Sequence, residues 1–311
     1  MFHYISVRSA LAFVFALGIS ICCGKPFVRM MKRRQIGEEI RDLGLEGQSS
    51  KAGTPTMGGI LIIAAILVPA LLFCQLNNIY VLLMIFTVVW LGGLGFLDDY
   101  IKVFKKNKEG LSPRKKLIGQ IILGLVVGAV MYFHPAAVIC EKNPTANAMT
   151  PIESALQVEN QANAETPQIF GEPHQSHKTT IPFFKNHEMD YSAITRWMGD
   201  ETGKWSFLFF IPIIVFIIAA VSNGANLTDG LDGLATGTTS VIAVGIAILA
   251  YVSGNVVFAN YLDIMYIPNI GELVIFVSAV IGGCLGFYWW NCFPAQVFMG
   301  DTGSLMLGGV I

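Results

Sequence analysis

The sequence predicts an all-α, polytopic bundle of transmembrane helices, with seven spans and the start of an eighth. Three observations carry this prediction. The chain is 54% hydrophobic and only 13% charged, about half the charge content of a soluble domain. Its apolar residues gather in windows near twenty residues, the length at which a helix crosses a ~30 Å hydrocarbon core. The basic loops between the windows also fall on one side of the count. A soluble globular domain is excluded, and with a net charge of −1 no nucleic-acid partner is expected.

The first span reads over 4–23. The basic cluster KPFVRMMKRR follows it, the reverse of a secretory signal, so the span is retained. Arg8 is expected to snorkel to the interface. The second span reads over 54–74, with Thr54 as cap, Pro55 as first helical residue and Lys51 just ahead. The third, 79–97, runs into Asp98-Asp-Tyr-Ile-Lys102. The fourth, 117–133, is preceded by Leu111-Ser-Pro-Arg-Lys-Lys116, where Ser112 caps and Pro113 begins. Spans at 206–222, 234–253 and 272–290 follow, and an eighth opens near 302.

Loops 24–53 and 98–116 carry seven Lys or Arg each. Two spans separate them, so both belong to the cytoplasmic side. The N-terminus, 134–205 and 254–271 then lie outside, with 223–233 and 291–301 inside. The whole chain, 1–311, reads as one integral membrane domain. Residues 134–205 form an extracytoplasmic insertion between spans four and five. Its part 141–180 is too polar to be well ordered, and 181–185 reads as a segment on the outer surface. The six cysteines include no CxxC pair, so neither a disulfide framework nor a zinc site is indicated.

All 20 Lys and Arg lie at or before Lys204; beyond it come only Asp229, Asp232, Asp263, Glu272 and Asp301. Asp229, Asp232 and Asp301 therefore require partners from the first half, a metal ion, or neutralisation. Three acidic motifs share the inside face. Asp98 and Lys102, four apart, share one side of a helix, and the adjacent pair Asp98–Asp99 favours a nearby cation. The motif equally suits a charge cluster that ends a span. In and just before NLTDGLDG, Asn223, Asn226, Asp229 and Asp232 recur every three residues as a polar helical stripe. Gly230 and Gly233 would admit a ligand or a neighbouring helix.

The third motif runs from Asn291 to Ser304. Asp301 reads both as the cap of the last helix and as an oxygen donor to a cation. Phe298 suits stacking on a base, or anchoring at the interface. The run Arg114, Lys115, Lys116 at a helix start suits a phosphate, and suits topology setting as well. No basic residue lies near Asp301 in sequence, so a metal ion is expected as its main counter-charge. Carboxylates facing lysines and helix starts at a membrane surface are the requirements of Mg²⁺-dependent phosphate chemistry on a lipid substrate.

The set GTPTMGG, LDDYIK, NLTDGLDGLA and PAQVFMGDTGSL, in order from about Lys25 to the C-terminus, resembles the phospho-N-acetylmuramoyl-pentapeptide transferase family, part of the polyprenyl-phosphate N-acetylhexosamine-1-phosphate transferase superfamily. The resemblance implies an inner-membrane enzyme of peptidoglycan synthesis that joins UDP-MurNAc-pentapeptide to undecaprenyl phosphate, giving lipid I and UMP with Mg²⁺. It implies a homodimer of ten-span chains. It assigns Asp98 as base, Asp99 as its neighbour and Asp301 as the Mg²⁺ ligand. Lys51, Thr56 and Lys102 would line the diphosphate region. Asn226, Asp229, Asp232 and Asn291 would lie near the nucleotide, and Phe298 would stack on uracil. Direct attack by the lipid phosphate is expected rather than a phospho-enzyme on Asp98.

The family's His-rich inside loop has no counterpart among the five histidines. The last apolar run, about ten residues, reaches about half of the ~30 Å core. The chain is therefore expected to be C-terminally incomplete and unable to form lipid I alone. Two rival readings stand beside this one. A related transferase would load GlcNAc-1-phosphate. A cation-coupled transporter would also carry intramembrane carboxylates, but near the midplane and in two matching halves.

Overall fold

The computed structural model describes residues 4–33, 53–105, 107, 109–142, 170–175, 178–180, 188–197 and 205–311. Among them the helices are α1 (Ile5–Arg33), α2 (Gly59–Phe73), α3 (Ile79–Phe104), α4 (Pro113–Phe133), α5 (Tyr191–Trp197), α6 (Phe207–Thr228), α7 (Leu234–Ser253), α8 (Val256–Tyr261), α9 (Gly271–Asn291) and α10 (Gly300–Val310). Of these, α1, α3, α4, α6, α7 and α9 are long and apolar enough to cross a membrane. The shorter α2 is apolar throughout its 15 residues. The six spanning-length helices, the shorter apolar α2 and the start of α10 thus fall where the apolar windows are read. Beside them stand two short strands, β1 (Lys178–Thr180) and β2 (Glu188–Asp190), paired antiparallel with Lys178 opposite Asp190.

The chain divides into two compact units. The first comprises 1–127, 213–247 and 272–311. Its core is built by α1, α2, α3, α9 and α10 around Ile62, Ile66, Leu91, Phe276, Phe287 and Met306. Small residues set the close approaches, as in membrane bundles generally. A Cβ on Gly95 of α3 would overlap the carbonyl of Asp301, and one on Gly59 would overlap the backbone of Gly303. So α10 lies directly on α2 and α3.

Arg8 does not snorkel. It is buried on α1 and forms a two-armed ion pair with Glu272 of α9, at 2.9 and 2.5 Å, while Nη1 also donates to the Phe73 carbonyl. The same Glu272 accepts from the Gln75 backbone N–H. An arginine that far inside an apolar bundle is held by its partner rather than by water.

The second unit comprises 128–212 and 248–271. Backbone bridges join Ile139 to His174, Cys140 to Tyr266 and Lys142 to Phe170, and Lys142 pairs with Asp263 at 3.0 Å. Tyr191 is buried and bonds through its hydroxyl to Thr179 Oγ1 at 2.8 Å. The insertion therefore contains ordered pairing at 139–142 and 170–174. The stretch expected to be weakly ordered is 141–180 as a whole; of it only 141–142, 170–175 and 178–180 are described, and 181–185 lies outside the described residues.

Candidate active site

The site is assembled at the C-terminal end of α3. Asp98 and Asp99 lie on its last turns, both buried. Lys102, one turn on, sets its Nζ 2.7 Å from Asp98 Oδ2, as the four-residue spacing requires. The chain then turns back, and the Leu111 N–H donates to Asp98 Oδ1 at 2.6 Å. Pro113 opens α4, and in its first turn Lys116 places Nζ 3.0 Å from the same Asp98 Oδ2.

The other half arrives with α10. Lys102 Nζ lies 3.2 Å from Asp301 Oδ2, and Lys116 Nζ is also paired with that oxygen. Two ammonium groups thus bridge Asp98 and Asp301. The partners that Asp301 requires thus come from the first half of the chain, on α3 and α4, nearly two hundred residues away in sequence, so a metal ion is not its sole counter-charge. In sequence Lys116 stands only as part of a basic run. Its place in the first turn of α4 was the available signal, but selecting it over Arg114 and Lys115 required the packing.

Asp99 has a different task. Its carboxylate accepts from the backbone N–H groups of Asp301 and Thr302, at 3.1 and 2.9 Å, and from the Thr302 hydroxyl. It caps α10 from a neighbouring helix and satisfies N–H groups left open at a helix start. Asp301, expected as that cap, instead lies in the first turn with its side chain turned to the lysines. Gly300, at φ +74°, makes the bend into α10, and a Cβ there would come 2.7 Å from Asp99 Oδ2 and 3.1 Å from Thr56 Oγ1.

Residues 55–59 dock on the segment before α10. Phe298 N–H donates to the Pro55 carbonyl at 2.8 Å. The Gly58 and Gly59 N–H groups donate to the Phe298 and Met299 carbonyls at 2.9 and 2.8 Å. This ladder replaces the helix start expected at Thr54–Pro55: Met57 takes a left-handed backbone at φ +70°, and α2 begins only at Gly59. Thr56 is buried beside Gly300, and Phe298 is half-buried. Lys51 lies outside the described residues.

The stripe expected from Asn223 to Asp232 is broken. Helix α6 ends at Thr228, so Asp229 and Asp232 sit in the turn before α7. Asp232 Oδ2 accepts from the Ala295 N–H at 3.2 Å. Asn223, though exposed, donates through Nδ2 to Gln120 Oε1 at 2.8 Å. Asn226 keeps a buried Nδ2 with no hydrogen-bond partner among the described residues. Of the two glycines, Gly233 meets α9 at Tyr288 and Cys292, whereas a Cβ on Gly230 would find only the Leu227 carbonyl, at 3.7 Å. Asn291 is buried. Its Oδ1 accepts from the Gly233 N–H and the Thr236 hydroxyl, and its Nδ2 donates to the Val297 carbonyl. It fastens the 229–233 turn to the Phe298 segment.

Asp98, Asp99 and Asp301 bring carboxylate oxygens within 4.8 Å of one another. Three hard oxygen donors fit a divalent cation, which would share Asp98 and Asp301 with the two ammonium groups. The carboxylates of the three motifs gather at the C-terminal ends of α3 and α6 and the start of α10 rather than at midspan, which is not the arrangement of a transporter's ion path.

Comparison with known proteins agrees. The family described as Glycosyl transferase family 4 matches residues 174–311, and phospho-N-acetylmuramoyl-pentapeptide-transferase signature 1 matches 51–63. The chain is 52% identical over 313 residues to the phospho-N-acetylmuramoyl-pentapeptide-transferase of Flavobacterium johnsoniae, covering 100% of this chain and 74% of that protein. Against the proteins of the same name from Parabacteroides distasonis and Porphyromonas gingivalis, identity is 52% and 50% over 311 residues, covering 100% of this chain and 71% of each relative.

Proposed function

The chain belongs to the phospho-N-acetylmuramoyl-pentapeptide-transferase family, and on that premise we propose that it transfers phospho-MurNAc-pentapeptide from UDP-MurNAc-pentapeptide to undecaprenyl phosphate, giving lipid I and UMP. The carrying observation is the convergence of Lys102 and Lys116 on Asp98 and Asp301, within reach of Asp99. Such a centre offers two ammonium groups to phosphate oxygens while holding a carboxylate that can accept a proton.

Lys102 is the more exposed of the two lysines. It leaves Asp98 for the incoming lipid phosphate, and Oδ2, still paired with Lys116, takes the proton if that phosphate arrives as a monoanion. Oδ1 stays fixed by the Leu111 N–H. An oxygen of the lipid phosphate then attacks the phosphorus that carries the sugar, in line with the bridging oxygen. That P–O bond breaks, and the bridging oxygen leaves with UMP. Direct attack is favoured because positioning and charge supply most of what phosphoryl transfer needs. Mg²⁺ is the proposed ion, held by Asp301 with Asp98 and Asp99 beside it; when bound, it supplies charge that stabilises the diphosphate and its leaving oxygen. Phe298 stacks on uracil, and Asn226, Asp229 and Asp232 line the nucleotide. Asn291 acts by holding the two loops together. Thr56 and Lys51 complete the diphosphate side.

The site is proposed to face the cytoplasm, where the basic loops predict it, in an inner-membrane protein that forms a homodimer. The test is UMP release and lipid I formation in membranes carrying the protein, supplied with both substrates. Asp301→Asn should lower turnover by roughly 10²-fold or more, the scale of losing a principal electrostatic contact. Activity near wild type in this variant, with Mg²⁺ present, would reject the assignment. Equal use of UDP-GlcNAc would favour the related sugar transferase instead.

A further inference from the structure

A second charged feature lies apart from the carboxylate centre, at the C-terminal end of α1. Lys25, Arg29, Lys32 and Arg33 recur at i, i+4, i+7 and i+8 and so fall within about 100° of the helix circumference. All four are exposed, and among the described residues none is in an ion pair. They ring a cavity of about 440 Å³. Its floor is apolar: Val28 and Trp290 are both buried, and the indole N–H is committed to the Ser20 carbonyl at 3.2 Å. Gln296, exposed on the loop after α9, forms the facing wall.

Topology setting asks for cations at this end of a span. It does not ask that they surround a cavity floored by a buried indole. Nor does the helix end explain an anion there: the last carbonyls of α1 repel negative charge, and four cations reverse that field. The surroundings define the kind of ligand. Trp289 and Phe293, at the same end of α9 as Trp290, are 67% and 77% exposed, and exposed aromatic rings at a span end mark the headgroup level of a bilayer. A negatively charged group entering here has cations around it, apolar surface below and acyl chains alongside.

We infer that this groove binds the headgroup phosphate of an anionic phospholipid. The lipid seats its phosphate among Lys25, Arg29, Lys32 and Arg33 and lays its glycerol over Trp290. Basic pockets between transmembrane helices bind headgroups in this way. The site joins α1 to the loop that follows α9.

The test is native mass spectrometry of the protein released from nanodiscs of phosphatidylcholine with and without phosphatidylglycerol. The wild-type chain should retain phosphatidylglycerol in preference to phosphatidylcholine. Lys25→Gln with Arg29→Gln should reduce retained phosphatidylglycerol by at least about tenfold and leave phosphatidylcholine unchanged. Because removing cations can disturb insertion, Gln296→Glu and Gln296→Lys provide a second pair that keeps all four basic residues. The first should lower retention and the second should raise it. Equal retention of the two lipids by the wild type, or retention unmoved by the Gln296 pair, overturns the inference. Displacement of the lipid by millimolar inorganic phosphate also overturns it, by assigning the groove to soluble anions.

Discussion

At the scale of single residues, adjacent positions in this chain have opposite tasks. Lys115 is exposed, whereas Lys116 touches both Asp98 and Asp301. Lys116→Met should therefore lower lipid I formation by about 10-fold or more, as loss of a charge aimed at the reacting phosphates, while Lys115→Met leaves it near wild type. Parallel assays of the two variants decide this, and equal losses would mean that the basic run acts only through its summed field. Asp98 and Asp99 divide in the same way, one facing the lysines and the other a helix start. Phe298 makes a third residue-scale case. Its backbone is fixed by Pro55 and Gly58, so Phe298→Ala changes the ring and leaves the ladder in place. UMP binding should weaken by roughly 1–3 kcal/mol, the scale of base–aromatic stacking, with undecaprenyl phosphate binding unchanged. Calorimetry on both ligands separates stacking from a general loss of structure.

At the scale of elements, the entry to α10 is the most constrained junction of the site. Gly300 takes a left-handed backbone against Asp99 and Thr56. Gly300→Ala should cost about 1–2 kcal/mol from the backbone alone, with a further penalty for crowding Asp99. The expected readout is a lower thermal midpoint in detergent together with reduced turnover; an unchanged midpoint would show that α10 can re-enter by another path. The spans themselves were legible, because a bilayer demands long apolar runs whatever surrounds them. The pairing of Asp98 with Lys102 was legible too, since it needs only one helical turn. The start of α2 was not, because a methionine in a left-handed conformation leaves no mark in an apolar pattern. The stripe through Asp229 and Asp232 failed for a related reason: a three-residue spacing continues across a turn as readily as along a helix. Asp301's lysines were hidden because their meeting depends on how α4 and α10 dock on α3.

At the scale of the whole molecule, Arg8 and Glu272 tie together helices 264 positions apart. The side chains are only 10% and 8% exposed. Arg8→Ala would leave Glu272 charged and enclosed, and should destabilise the protein by about 3–5 kcal/mol. Replacing both, as Arg8→Met with Glu272→Leu, should recover most of that loss. Thermal unfolding of the three proteins tests this, and a double variant no better than Arg8→Ala would show that the pair is needed beyond its charges. The long separation also explains why Arg8 read as an interfacial residue: its partner lies near the other end of the chain. Asp99 has the same separation, with a consequence for how the protein is made. Asp98 meets Lys102 and Lys116 within 18 residues of itself, so its charge is answered almost as soon as α4 emerges. Asp99 must wait for the amides of Asp301 and Thr302, 202 and 203 positions later. At ribosomal speeds of about 5–20 residues per second, that delay is roughly 10–40 seconds. During it an acidic side chain on an inserted helix has neither its native donors nor a closed bundle around it. The newborn site is thus an unfinished socket, exposed to lipid, water or an insertion factor until translation delivers its lid.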